Sequence, residues 1–202
     1  MKKVLIGAGA LLSIHEVVFF VSKVFKSSPE GAAQVQAYGN YDDALKEAGN
    51  LEARGELLPA QELYKKIIME HASEPKIEDV QKKLEDLNMR IVLSAVNVPG
   101  QTAIREIKEG DSLSMIADEF HTTSEMIKRQ NGLKSDVIRL GQRLRVWTGR
   151  FNVLVDKSQN ILILKSDSDV VKTFRVSTGK DNITPVGTFK IVNKLKDPSW
   201  TH

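Results

Sequence analysis

Between Ile104 and Val146 the hydrophobic pattern changes period more than once within a short stretch, and few folds accommodate that. Ile104, Arg105, Glu106 and Ile107 read as a short strand, and Gly110–Asp111 reads as a turn. Leu113, Ile116, Ala117 and Phe120 then fall at the spacing of one helical face, with Asp111 or Ser112 placed to accept the free N–H groups of the first turn. His121 to Ser124 breaks that helix, and Thr123 or Ser124 can cap a second one carrying Met126 and Ile127 and ending at Asn131–Gly132. Leu133, Ile138 and Gly141–Gln142 follow, before a closing strand over Arg143–Val146. The predicted order is strand, helix, helix, strand around one small core.

These landmarks, in this order, resemble the LysM domain. The resemblance covers roughly a quarter of the chain and implies a module that binds N-acetylglucosamine-containing glycans, either peptidoglycan or chitin, in a shallow groove between two loops. Carried over by position, one wall is Gly110, Asp111, Ser112 and Leu113, and the other is Leu133, Lys134, Ser135, Asp136 and Ile138. Backbone groups and short polar side chains suit an acetamido group, and Leu113 and Ile138 suit its methyl. The same residues also have a scaffolding reading: Gly110 as a turn requirement, Asp111 as a cap, Leu113 and Ile138 as core.

Upstream, Lys2 and Lys3 precede an apolar run from Val4 to Val21, closed by Lys23 and Lys26. A run of ~18 residues at 1.5 Å each nearly crosses a bilayer core. His15 and Glu16 interrupt it at a cost on the order of a few kcal/mol. No small-x-small cleavage site follows closely, since Gly31–Ala33 lies after Pro29. The expectation is therefore a signal-anchor helix over 1–28 with its basic end in the cytoplasm, followed by a linker over 29–37.

Residues 38–94 carry helical stripes: Ala44, Leu45, Ala48 and Leu51; then Ala60, Leu63, Tyr64, Ile67 and Ile68; then, after Pro75, Ile77, Val80, Leu84, Leu87 and Ile91. Gly39–Ala44 and Gly55–Ala60 resemble the turn of a tetratricopeptide unit. Two partial units are too few for a solenoid. The segment reads as a helical spacer or small bundle, with room for a protein partner. Asn97–Gly100 marks a turn before the module assigned to 101–148.

From Arg150 the period becomes two. Strands are expected at Phe151–Val155, Ile161–Leu164 and Val170–Val176, with turns at Ser158–Asn160 and Ser166–Asp169. Val176–Lys180 and Thr184–Ile191 together resemble the opening part of a YkuD-type L,D-transpeptidase catalytic domain, placed here at 150–202. The resemblance implies a cysteine thiolate in a Ser-His-Gly-Cys segment, activated by a nearby histidine, that attacks a peptide stem and joins it to a neighbouring stem or to a lipoprotein. The chain contains no cysteine. No serine stands near a histidine and an acid in a recognisable pattern, and His202 lies outside the segment the family uses. Catalytic residues are therefore expected to be none, and the fragment is expected to be incomplete, with an open sheet edge or another chain completing it.

Nine Lys or Arg against five Asp from Arg150 to His202 leave a local excess of four positive charges. Two readings stand: a solvated strand surface, or attraction to a polyanion. There is no phosphate loop, no metal constellation among four scattered histidines, and no nucleic-acid motif; no cofactor is expected. The fold class expected is α+β and multidomain: a membrane helix, a helical hairpin segment, a βααβ module and a mostly-β fragment. The function expected is peptidoglycan binding in the cell envelope. The alternatives are an L,D-transpeptidase whose sequence continues further, and an envelope scaffold acting through its helices.

Overall fold

A computed structural model describes residues 3–7, 40–180 and 183–192. Twelve elements are placed among them. Strand β1 is Lys3–Gly7; helices α1 (Tyr41–Ala53), α2 (Leu57–Glu70) and α3 (Ile77–Leu93) follow. Then come β2 (Thr102–Glu106), α4 (Leu113–Glu119), α5 (Ser124–Asn131) and β3 (Arg143–Trp147). The C-terminal strands are β4 (Phe151–Asp156), β5 (Ile161–Ser166), β6 (Asp169–Arg175) and β7 (Gly187–Lys190). The class is α+β.

The three helical stripes close on one another. Ala48 and Ala60 are fully buried between Leu63, Tyr64, Ile67, Leu87 and Ile91, so small side chains let α1 and α2 approach while the large ones fill the centre. Each fully buried Leu or Ile contributes roughly 1.5–3 kcal/mol of transfer free energy. A polar tie crosses the bundle: the Tyr64 hydroxyl donates to Glu52 at 3.1 Å, and Glu52 also pairs with Arg90. That tie joins all three helices.

The strands form two sheets. β2 and β3 pair antiparallel, with Glu106 opposite Arg143 and Thr102 opposite Trp147. The other sheet has the order β6-β5-β4-β1-β7. Its neighbours run antiparallel except β1 and β4, which are parallel with Val4 beside Val153. β1 also pairs antiparallel with β7, Val4 facing Phe189. The bundle and the β2–β3 module therefore lie within the long connection from β1 to β4.

This corrects the expectation at the N-terminus. Residues 4–7, read as the start of a membrane helix, are strand; the remainder of the proposed anchor, 8–28, and the linker, 29–37, lie outside the described residues. The reason is local and tertiary together: Val4, Leu5 and Ile6 suit an extended chain, and neighbours on both sides supply partners for their backbone groups. Among the described residues no helix is long and apolar enough to cross a membrane.

The helical segment does not stand apart from its neighbours. Asn88 on α3 donates to the Val170 carbonyl of β6 at 3.0 Å, and Lys172 of β6 pairs with Asp86. On another side, Gln130 of α5 donates to the Val92 carbonyl at 2.8 Å. Val92, Trp147 and Val171, one from each unit, share a buried cluster with Met89, Met126, Phe151 and Leu164 around it.

Candidate functional site

The β2–β3 module is built as its sequence dictates. Ser112 caps α4 by accepting from the Met115 N–H at 3.3 Å, and Thr123 caps α5 by accepting from Met126 at 3.1 Å. Ile107, Leu113, Ile116, Ala117, Ile127, Leu144 and Val146 form its core, with Phe120, Leu133 and Ile138 packed at the margin.

Two loops leave the same end of the β2–β3 ladder, beyond Glu106 and before Arg143. They are fastened together by the backbone: the Ile107 N–H donates to Gln142 at 2.8 Å, and Gly141 donates to Ile107 at 2.9 Å. This places the start of the first loop, after Ile107, beside the end of the second, at Gly141–Gln142. Gly110 sits at φ +82, a conformation that a residue with a Cβ adopts only under strain.

The nine candidate residues divide by environment. Asp111 is turned inward, accepting from the Lys108 N–H at 2.7 Å and facing the Arg105 guanidinium at 3.3 Å. Arg105 in turn reaches Glu119 at 3.3 Å, so Asp111 holds the turn to the strand and the helix. Leu113 is only 3% exposed and belongs to the core, while Leu133 and Ile138 are half-buried against it. Gly110 is exposed, and Ser112 is half-buried with its hydroxyl 3.0 Å from that of Ser114. Lys134, Ser135 and Asp136 are exposed. Asp136 pairs with Lys128 at 2.9 Å and fastens its loop to α5. Glu125 first, and then Asp136, hold the Lys128 ammonium above its ordinary pKa.

Val137 and Leu140, both 75% exposed on the second loop, escaped the sequence reading. They supply apolar surface that Leu113, being buried, does not. Hydrophobic residues in a loop that satisfy no helical or strand period were the available signal. Backbone amides, hydroxyls and small apolar patches suit a neutral ligand with polar and methyl groups. Among the described residues no group of three or more His, Asp or Glu is placed to hold a metal.

Residues 106–147 match the LysM domain. Residues 150–202 match the L,D-transpeptidase catalytic domain. The chain is 54% identical over 41 residues to the probable peptidoglycan endopeptidase LytE of Bacillus subtilis, covering 20% of this chain and 12% of that protein. It is 26% identical over 100 residues to the putative L,D-transpeptidase YkuD of the same organism, covering 46% of this chain and 61% of that protein. The chain thus spans less than two thirds of either relative.

Within the catalytic-domain match, the two C-terminal signatures meet. The Gly179 N–H donates to the Thr184 hydroxyl at 2.7 Å, and Lys157 donates to the Thr184 carbonyl. The LysM module joins this sheet through Trp147, whose Nε1 donates to the Ser166 hydroxyl at 3.1 Å and whose ring stacks on Phe151. Gly149 lies in that contact, and a Cβ there would collide with the Ser166 hydroxyl and come within 2.6 Å of Trp147 Nε1.

By its sequence position Arg145 is simply a residue of the closing strand. It is buried, donates to the Ser94 carbonyl at the C-terminal end of α3, and lies 5.4 Å from the centre of the Trp147 ring. Its Nε and Nη2 have no hydrogen-bond partner among the described residues. Burial pushes its pKa down to about 10, so it remains charged at neutral pH. The negative end of the α3 dipole and the Trp147 face are the compensation on offer.

Proposed function

We propose that this protein is a cell-envelope component that holds peptidoglycan through its LysM module, in the space between the 108–112 and 133–142 loops. The observation that carries this reading is the LysM match over 106–147, supported by the backbone bonds that join Ile107 to Gly141 and Gln142. Gly110, Ser112, Lys134 and Ser135 offer backbone and side-chain partners to acetamido and hydroxyl groups, while Ile138, with Val137 and Leu140 beside it, offers apolar surface. Asp111, Asp136, Leu113 and Leu133 act in this reading as supports. LytE, named a peptidoglycan endopeptidase, supports the same class of ligand.

The test is retention of the full chain on purified sacculi, combined with titration by N-acetylglucosamine oligomers. Retention is expected, with amide shifts confined to 108–113 and 133–142. A chain that stays in the supernatant, with unmoved loop amides, refutes the reading.

A second reading, chemistry on wall peptides, is favoured by the catalytic-domain match over 150–202. These 202 residues contain no cysteine to supply the thiolate such chemistry uses. Reading the gene past codon 202 for a Ser-His-Gly-Cys segment tests it directly. An envelope scaffold acting through residues 38–94 has less support, since α3 is already packed on both the LysM module and β6.

The location proposed is the cell envelope. A helix crossing the membrane from Val4 and the pairing of β1 with β4 exclude one another, because a single crossing separates Lys3 from the sheet. Labelling a Lys2→Cys variant in spheroplasts with an impermeant maleimide decides between them: reaction supports the strand, and protection supports the anchor.

A further inference from the structure

Strand β3 is buried on both of its faces, and for different reasons. Leu144 and Val146 belong to the LysM core, whereas Arg145 and Trp147, on the opposite side of the strand, meet the end of α3 and the C-terminal sheet. Side-chain ties cross this seam: Gln130 to the Val92 carbonyl, Arg145 to the Ser94 carbonyl, Trp147 Nε1 to the Ser166 hydroxyl, and Gln101 to the Asp169 carboxylate at 2.9 Å. Its apolar part is small. Three residues are buried in it, against seven in the LysM core and twelve in the helical bundle, so the seam is the weakest of the three hydrophobic contacts.

The seam also carries a cation that opposes its closure. Arg145 is 3% exposed, and among the described residues no carboxylate lies within 4 Å of its guanidinium. The Ser94 carbonyl takes one bond from Nη1, and the Trp147 ring faces the charge. Nε and Nη2, which hold most of the guanidinium N–H groups, forfeit the bonds that water would give them. Separating the LysM module from α3 returns these groups to water and leaves the core around Leu144 and Val146 intact. The two links into the module each contain a glycine, Gly100 at φ +75 before it and Gly149 after it, where the chain can change direction at little cost.

We propose that the LysM module opens from α3 and the sheet as a folded unit, about the links at 97–100 and 148–150, and that the buried, under-partnered Arg145 keeps this opening accessible. The closed state is weakened at one residue, without loosening either neighbouring core. The candidate glycan loops lie at the far end of the β2–β3 ladder and contribute no residue to the seam. A module that holds a sugar strand therefore stays free to swing relative to the sheet. Closed, the loops have one placing with respect to the sheet; open, their reach is set by two short links. The opening rests on the seam and not on the sugar reading.

The chain has no cysteine, so a single introduced thiol reports on a single place. In the full chain, Val92→Cys puts a thiol in the seam and Ile116→Cys puts one in the LysM core, at side chains 5% and 1% exposed. Under native conditions, the rate of reaction with a soluble aromatic disulfide measures how often each position is uncovered. Val92→Cys is expected to react at least roughly tenfold faster than Ile116→Cys. Adding Arg145→Met, of similar length and uncharged, is expected to slow Val92→Cys roughly tenfold and to leave Ile116→Cys unchanged. Hydrogen exchange of the Trp147 indole, with no cysteine introduced, gives a second reading and is expected to be slower in Arg145→Met. Equal reaction of the two thiols overturns the proposal, because the seam then opens only with the core. An Arg145→Met chain whose seam thiol and indole exchange as fast as the parent's, or faster, overturns it too, because the guanidinium then holds the seam shut. Failure of the sugar titration leaves these rates untouched, so the two readings are tested separately.

Discussion

Gln130→Leu is the perturbation that most directly examines how the LysM module is held to the rest of the chain. Gln130 is 1% exposed. Its Nε2 donates to the Val92 carbonyl at 2.8 Å, and its Oε1 accepts from the Trp147 N–H at 3.3 Å. Val92 lies in the last turn of α3, whose carbonyls have no partner within the helix. Leucine has nearly the same volume, so the cavity term is small. It leaves two buried backbone groups unsatisfied, each costing about 1–3 kcal/mol. The longer bond belongs at the low end of that range, and the added apolar burial offsets about 1 kcal/mol. The net expected loss is about 2–3 kcal/mol, or roughly thirty- to more than a hundredfold in the folding equilibrium. Urea denaturation of the full chain, followed by tryptophan fluorescence and by far-ultraviolet circular dichroism, reads it. A loss below about 0.5 kcal/mol, within the range of an ordinary surface substitution, refutes the view that this side chain joins the two units.

Gly149→Ala should cost about 1–3 kcal/mol, because its methyl displaces Ser166 from Trp147; the altered indole N–H resonance of Trp147 checks the cause. Leu5→Pro should destabilise the sheet by about 1–3 kcal/mol, since β1 has neighbours on both sides and proline removes a ladder donor and leaves its acceptor unpaired. Unchanged hydrogen-exchange protection in β4 and β7 would show that β1 is not seated between them. Burial, and then the Glu52 carboxylate, push the Tyr64 phenol up to about 12 from its ordinary 10.0. With the folded value above the unfolded one, the stabilisation is complete below pH 10 and falls away as pH rises through 12. Stability measured against pH should therefore decline over that window in the parent and be flatter in Tyr64→Phe.

Local pattern carried a large part of this fold. The stripes Ala60–Ile68 and Ile77–Ile91, the caps at Ser112 and Thr123, and the Asn131–Gly132 stop all appear where periodicity and capping chemistry place them. Each depends on residues within a few positions of one another, so a linear reading reaches it. The same holds for the order of the LysM landmarks and for the alternation that makes β4, β5 and β6. At the candidate sugar site, the loops were legible as loops. The helical stripe already offered Leu113 as core, whereas the hold of Asp111 on Arg105 comes from a contact across the turn that no periodicity records.

Partners distant in sequence account for the rest. Val4–Gly7 is apolar enough for a helix in lipid or a strand in a sheet, and only the vacant place between β4 and β7 makes it a strand. Gln130 and Arg145 are ordinary polar residues of a helix and a strand until α3 presents Val92 and Ser94 to them. Burial and charge pairing are properties of what surrounds a residue in space, and a chain read in order contains no record of which distant segment will arrive.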